Sequence, residues 1–145
     1  MDLSLRNANE SDMRFLFALR DKTMKYYLEE VGMPTSHEEY EKRIRFEFDS
    51  AQIVELGGSP IGLFKVTYSN ARNYWYIVQI QIEPMYQGMK VGTRLIGQLI
   101  EKANETGATV GLSVINTNPA QHLYTRLGFK VVGATGAEQL MELKP

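Results

Sequence analysis

The stretch from Tyr74 to Ile115 constrains the fold more than any other part of the chain. It opens with "YWYIVQIQIE", a β-branched and aromatic run, and continues as "PMYQGMKVGTRLIGQLIEKANETG", a glycine-bearing turn followed by helical periodicity. It closes with "TVGLSVI", a second β-branched run. Two strands separated by a whole helix cannot form a hairpin. The connection is a crossover, and a crossover implies a parallel pair. The helix between them, from about Val91 to Thr106, turns Leu95, Ile96, Leu99 and Ile100 toward a core.

The remaining elements surround this unit. "LSLRNA" alternates as a short strand, and Asn9 followed by Asp12 signals a helix start before "MRFLFALRDKTMKYYLEE", which Gly32 and Pro34 end. Ser36 with Glu39 reads as a capping box launching "HEEYEKRIRFEF". "AQIVEL" and "PIGLFKVTYS", separated by "GGSP" and followed by "NARN", lead into the Tyr74 strand as an antiparallel meander. Past Ile115, "NTNPA" opens a short helix, with Asn118 as cap and Pro119 at its first position. "FKVVGA" and "EQLMELK" close the chain. The reading is an α/β (α+β) fold of order βααβββαβαββ. It has a mixed, mostly antiparallel sheet of about seven strands and about four helices, forming one domain over residues 1–145.

Composition removes several classes of function. The chain has no cysteine, hence no disulfide framework, thiol nucleophile or zinc–thiolate site, and its two histidines, His37 and His122, lie far apart without companion ligands. No metal site is expected. A formal charge of -1 gives no global attraction to nucleic acid or anionic membrane. Without a signal-peptide pattern or an apolar run of membrane-spanning length, a cytoplasmic protein is expected.

The turn "EPMYQGMKVGT" then becomes informative. A helix N-terminus presents unpaired N–H groups and the positive end of the helix dipole, which together suit a phosphate. Gly88 and Gly92 leave room for ligand oxygens, while Thr93, Lys90 and Arg94 offer a hydroxyl and charges. The spacing matches neither the nucleotide P-loop nor the dinucleotide fingerprint, which argues against a nucleotide-binding domain. By itself the segment fits an anion site or a tight turn.

With "VINTNPAQHLYTRLGF" downstream, "IQIEPMYQGMKVGTRLIGQLI" resembles the GNAT superfamily of N-acetyltransferases. In that family the first block is the acetyl-CoA pyrophosphate loop, Q/R-x-x-G-x-G/A, and the second carries an asparagine and a tyrosine ahead of a Gly-Phe pair. Gln87 and Gly92 fill the outer loop positions, but Lys90 stands where the family has its middle glycine. That lysine either narrows the loop's conformational freedom or projects toward phosphate or solvent.

The resemblance implies a central parallel pair that splays apart to admit the pantetheine arm. The backbone of Ile80, Gln81 and Ile82 would bind that arm, and Gln87, Gly88, Met89, Lys90, Val91, Gly92 and Thr93 would cradle the pyrophosphate. Asn118 and Tyr124 would complete the cofactor site, with Tyr124 as general acid toward the leaving thiolate. Acetyl-CoA would be the co-substrate and a primary amine of a small molecule or peptide the acceptor, acetylated by direct attack in a ternary complex.

The polar row Gln79, Gln81 and Glu83 suggests a wet cavity, with Glu83 as first candidate for the base and Glu55 second. Tyr26, Tyr27, Glu29 and Glu30 would offer aromatic and anionic walls to the acceptor. The resemblance also makes a homodimer an expectation. The alternative function is a non-catalytic acyl-CoA-binding sensor or interaction module.

Overall fold

A computed structural model describes residues 2–145. Its elements follow the expected order: β1 (Leu3–Asn7), α1 (Met13–Glu30), α2 (His37–Arg45), β2 (Ala51–Leu56), β3 (Ser59–Ser69), β4 (Tyr74–Ile82), α3 (Val91–Glu105), β5 (Thr109–Ile115), α4 (Ala120–Arg126), β6 (Lys130–Thr135) and β7 (Glu138–Leu143). The strands hydrogen-bond in the order β1-β2-β3-β4-β5-β7-β6. β4 and β5 form the parallel pair that the crossover demands, and the sheet is otherwise antiparallel. The residues group into two compact units. One comprises the chain through Lys65 with Gln79–Val91, the other Val66–Val78 with Gly92–Pro145.

In the first unit, β1 pairs antiparallel with β2, and β2 with β3. Leu16 and Leu19 of α1, Ile44 of α2, and Ala51, Ile53 and Leu63 of the strands form a buried apolar cluster. The 3-10 turn Glu10–Asp12 that leads into α1 carries a reciprocal cap. Asn9 accepts from the Ser11 N–H, and the Asp12 carboxylate accepts from the Asn9 N–H at 2.8 Å. Arg6 also grips Asp12 through two bonds of 2.8 and 2.9 Å, and this holds the Asp12 carboxyl below the usual carboxylate range.

Two details of α2 differ from the sequence reading. Ser36 accepts from the Glu39 N–H, but the Glu39 carboxylate lies toward Lys42, 3.7 Å away, so the cap is one-sided. The helix also stops at Arg45 rather than running on to Phe48. Glu47 takes a left-handed conformation (φ 54), and Lys65 draws off the carbonyls at the helix end.

In the second unit, β5 pairs antiparallel with β7, and β7 with β6. α3 buries Leu95, Ile96, Leu99 and Ala103, while Ile100 is half-buried. α4 begins at Ala120, one residue later than expected. The Asn118 side chain nevertheless caps it, accepting from the Ala120 N–H at 2.9 Å. Gly128, at φ 103, turns the chain out of α4 and returns it to the buried Phe129.

Candidate active site

The turn ahead of α3 is built in steps. β4 ends at Ile82, and Glu83 precedes a short 3-10 turn at Pro84–Tyr86. Gln87 then folds back, its Nε2 donating to the Ile82 carbonyl at 3.0 Å, which ties the turn to the strand it leaves. Gly88 is left-handed (φ 84), and so is Lys90 (φ 62). Lys90, immediately before the first residue of α3, therefore adopts the conformation that glycine adopts without penalty. Of the two possibilities raised for this residue, the backbone retains the glycine-like geometry while the side chain stands exposed. Met89 is also exposed.

The parallel pairing of β4 with β5 runs from Tyr74↔Thr109 to Ile77↔Leu112, and β4 continues through Val78–Ile82. Along that continuation Gln79, Gln81 and Ile82 are the covered positions. Gln79 and Gln81 are each 6% exposed, whereas Val78 and Ile80 are half-buried. Both amide atoms of Gln79 are enclosed without a hydrogen-bond partner. Buried amides are normally satisfied, so this is a position of high polar demand.

Glu83 is not free. Its two carboxylate oxygens lie 3.2 and 3.3 Å from Lys22 Nζ. Glu55 is also committed, accepting from Arg6 Nε at 2.9 Å within the ion-pair network of the cap ahead of α1. Tyr124 is 6% exposed and stacks edge-on with Phe129, and burial pushes its phenol up to about 12. Tyr26 is exposed and meets Tyr27 edge-on at 5.5 Å between ring centroids, and Glu29 and Glu30 are exposed on the last turn of α1. His37 is exposed and stacks on Phe17, and His122 is exposed. No group of three or more potential metal ligands occurs among the described residues.

Two buried cations escaped the sequence reading. Lys65 is fully buried, with Nζ donating to the carbonyls of Arg43, Ile44 and Phe46 at 3.2, 2.9 and 2.5 Å. Burial, together with the nearby charges of Arg43 and Arg20, lowers its amine to about 8. Arg20 is 6% exposed, lies against the Tyr40 ring at 5.4 Å, and is lowered to about 10 by burial and by Arg43. Its Nε is enclosed without a partner. Periodicity carried a signal for both. Arg20 falls four residues after Leu16 on the buried stripe of α1, and Lys65 continues the inward alternation Ile61, Leu63.

Residues 16–129 match the family model described as Acetyltransferase (GNAT) family. The chain belongs to this family of acetyl-CoA-dependent acyltransferases. It is 27% identical over 146 residues to a spermidine N(1)-acetyltransferase of Escherichia coli K12, covering 90% of this chain and 74% of that protein. It is 34% identical over 93 residues to a streptothricin acetyltransferase of Streptomyces lavendulae, covering 61% and 49%. The structure of a PaiA N-acetyltransferase from Thermoplasma acidophilum in complex with coenzyme A shares the fold. Its TM-score is 0.75 at 20% identity, with all of both chains covered.

Proposed function

We propose that this chain transfers the acetyl group of acetyl-CoA to a primary amine of a small molecule or peptide, acting over residues 1–145 as one acetyltransferase domain. The observation that carries the proposal is the turn before α3. There the left-handed pair Gly88 and Lys90 opens onto the N-terminus of a 15-residue helix, at the position of the family's pyrophosphate loop. Gln87–Thr93 would hold the pyrophosphate, with the second N–H of Gln87 still available, since one donates to Ile82. The backbone of Ile80–Ile82 would receive the pantetheine arm and polarise the thioester carbonyl. Spermidine and streptothricin, for whose acetylation the two sequence relatives are named, support an amine acceptor.

The chemistry follows from the residues present. The neutral amine attacks the carbonyl carbon, a C–N bond forms, the C–S bond breaks, and coenzyme A leaves as the thiolate. With no cysteine in the chain to carry an acetyl group, transfer is direct. The amine proton passes toward Glu83 through water. Deprotonating an alkylamine of pKa about 10.4 at pH 7 costs roughly 4–5 kcal/mol, which gives a base its value.

In this reading Tyr124 is the hydrogen-bond donor to the departing sulfur. With the phenol near 12 and a thiol near 8.5, complete proton transfer is uphill by about 5 kcal/mol, so Tyr124 acts chiefly as a hydrogen-bond donor to the thiolate. The test is release of free coenzyme A thiol from acetyl-CoA across an amine panel, alongside calorimetry with acetyl-CoA. Amine-dependent thiol release supports the reading. Tight acetyl-CoA binding without turnover across the panel would instead establish a non-catalytic acyl-CoA-binding module, and a covalent acetyl-enzyme on the reaction path would refute direct transfer.

A further inference from the structure

The first unit buries two cations, Arg20 and Lys65, and one carboxylate, Asp12, which Arg6 already holds. Arg20 is nine-tenths buried, lies within electrostatic reach of Arg43, and itself depresses the buried Lys65. Lys65 has its three carbonyls, but Arg20 makes no ion pair among the described residues, and its Nε is enclosed without an acceptor.

No carboxylate acts on Arg20 itself; Glu29 and Glu47 act on its neighbours Tyr40 and Lys65, and other acids of the unit have partners of their own. Asp21, adjacent in sequence, accepts from the Tyr40 hydroxyl at 3.1 Å. Glu83 is bound to Lys22, Glu55 and Asp12 to Arg6, and Glu10 and Glu41 to Arg45. A desolvated guanidinium lacking a counter-ion is costly, and an anion brought by a ligand would meet that cost. The planar fork of arginine matches a carboxylate bidentately, and the Tyr40 ring fixes its plane.

We propose that Arg20 is the anchor for a carboxylate on the acceptor, so that the preferred substrates are amines of the amino acid or peptide class rather than simple polyamines. This rests on the acetyltransferase reading above and deepens it by naming the acceptor class. It runs against the cationic acceptor that Tyr26, Glu29 and Glu30 would favour, and those side chains stand exposed at the end of α1.

Lysine and cadaverine differ by one carboxylate and make a matched pair. The wild-type protein is expected to acetylate lysine with a kcat/KM about 10- to 100-fold above that for cadaverine, the range of one charge-assisted bidentate contact. Arg20→Gln abolishes the preference through KM for lysine, leaves cadaverine within a few-fold, and leaves acetyl-CoA affinity unchanged. Arg20→Lys, which keeps the charge without the fork, restores part of it.

Equal kcat/KM for the two amines, or an equal loss on both in Arg20→Gln, overturns the proposal. Because Arg20→Gln removes a buried side chain, calorimetry on the wild type gives a second arm. Nε-acetyl-lysine is expected to bind at least 10-fold more tightly than N-acetylcadaverine, and equal affinity also overturns the proposal. Failure to bind acetyl-CoA at all sinks the acetyltransferase reading instead, while the calorimetric arm still decides the carboxylate site.

Discussion

Lys22 and Glu83 form an ion pair, with both carboxylate oxygens of Glu83 within 3.3 Å of Lys22 Nζ. In the proposed mechanism this carboxylate takes the amine proton through water. Glu83→Gln is expected to lower kcat/KM about 10- to 100-fold at pH 7. The loss should shrink as the pH approaches 10, where the amine is deprotonated without help. A pH–rate profile in which the loss is constant, or absent, leaves Glu83 only as the partner of Lys22.

Tyr124→Phe removes the hydroxyl from a buried ring and keeps its packing on Phe129. Turnover should fall about 100-fold, with acetyl-CoA affinity within a few-fold of wild type. Because the phenol stands near 12, the wild-type profile should show no loss of rate from this group below about pH 11. Unchanged turnover in the variant would remove Tyr124 from the mechanism.

Lys90 carries the strain of a left-handed residue, on the order of 1–2 kcal/mol for a side chain with a Cβ. Lys90→Gly relieves it while increasing the freedom of the unfolded chain, for a net stabilisation of about 0.5–1 kcal/mol. Chemical denaturation checks the sign, and a destabilised variant would mean that the lysine side chain holds the turn.

The Lys65 amine, lowered to about 8 in the folded protein, returns to about 10.4 when the chain unfolds. Between these values the unfolded state binds more protons than the folded one, so this group's contribution makes stability rise with pH across about 8 to 10. The stability difference between wild type and Lys65→Met should therefore move in favour of the wild type from pH 7.5 to pH 9.5. A difference that does not change with pH would mean that the three carbonyls hold the ammonium charged throughout.

Gly111 lies under the ring of Tyr74, and a Cβ at 111 would fall on the Tyr74 hydroxyl. That hydroxyl donates to Glu142 at 2.6 Å, joining β4 to the strand beyond β5. Gly111→Ala should cost about 3 kcal/mol by displacing the ring and breaking the bond, whereas Gly97→Ala, with open space around it, should be neutral or stabilising. Thermal denaturation of the two variants distinguishes them.

The element order, the crossover with its parallel pair, and the position of the glycine-bearing turn before α3 are legible in the sequence. Each of these depends on local chemistry: alternation in "YWYIVQIQIE", the apolar stripe of α3, and the turn residues around Gln87 and Gly88. The early end of α2 was not legible there, because Lys65, from β3, supplies the donor that finishes the helix, and the cap at Ser36 is one-sided because Glu39 turns to Lys42 instead. Tertiary structure alone decided which charges are neutralised. Glu83 and Glu55 look like free acids in the sequence and are found paired, while Arg20, whose spacing from Leu16 puts it on the buried stripe of α1, is found there without an ion-pair partner. Periodicity says which face a side chain joins, but the counter-ion it meets there comes from elements distant in sequence, and that pairing sets both desolvation and the chemistry left open to a substrate.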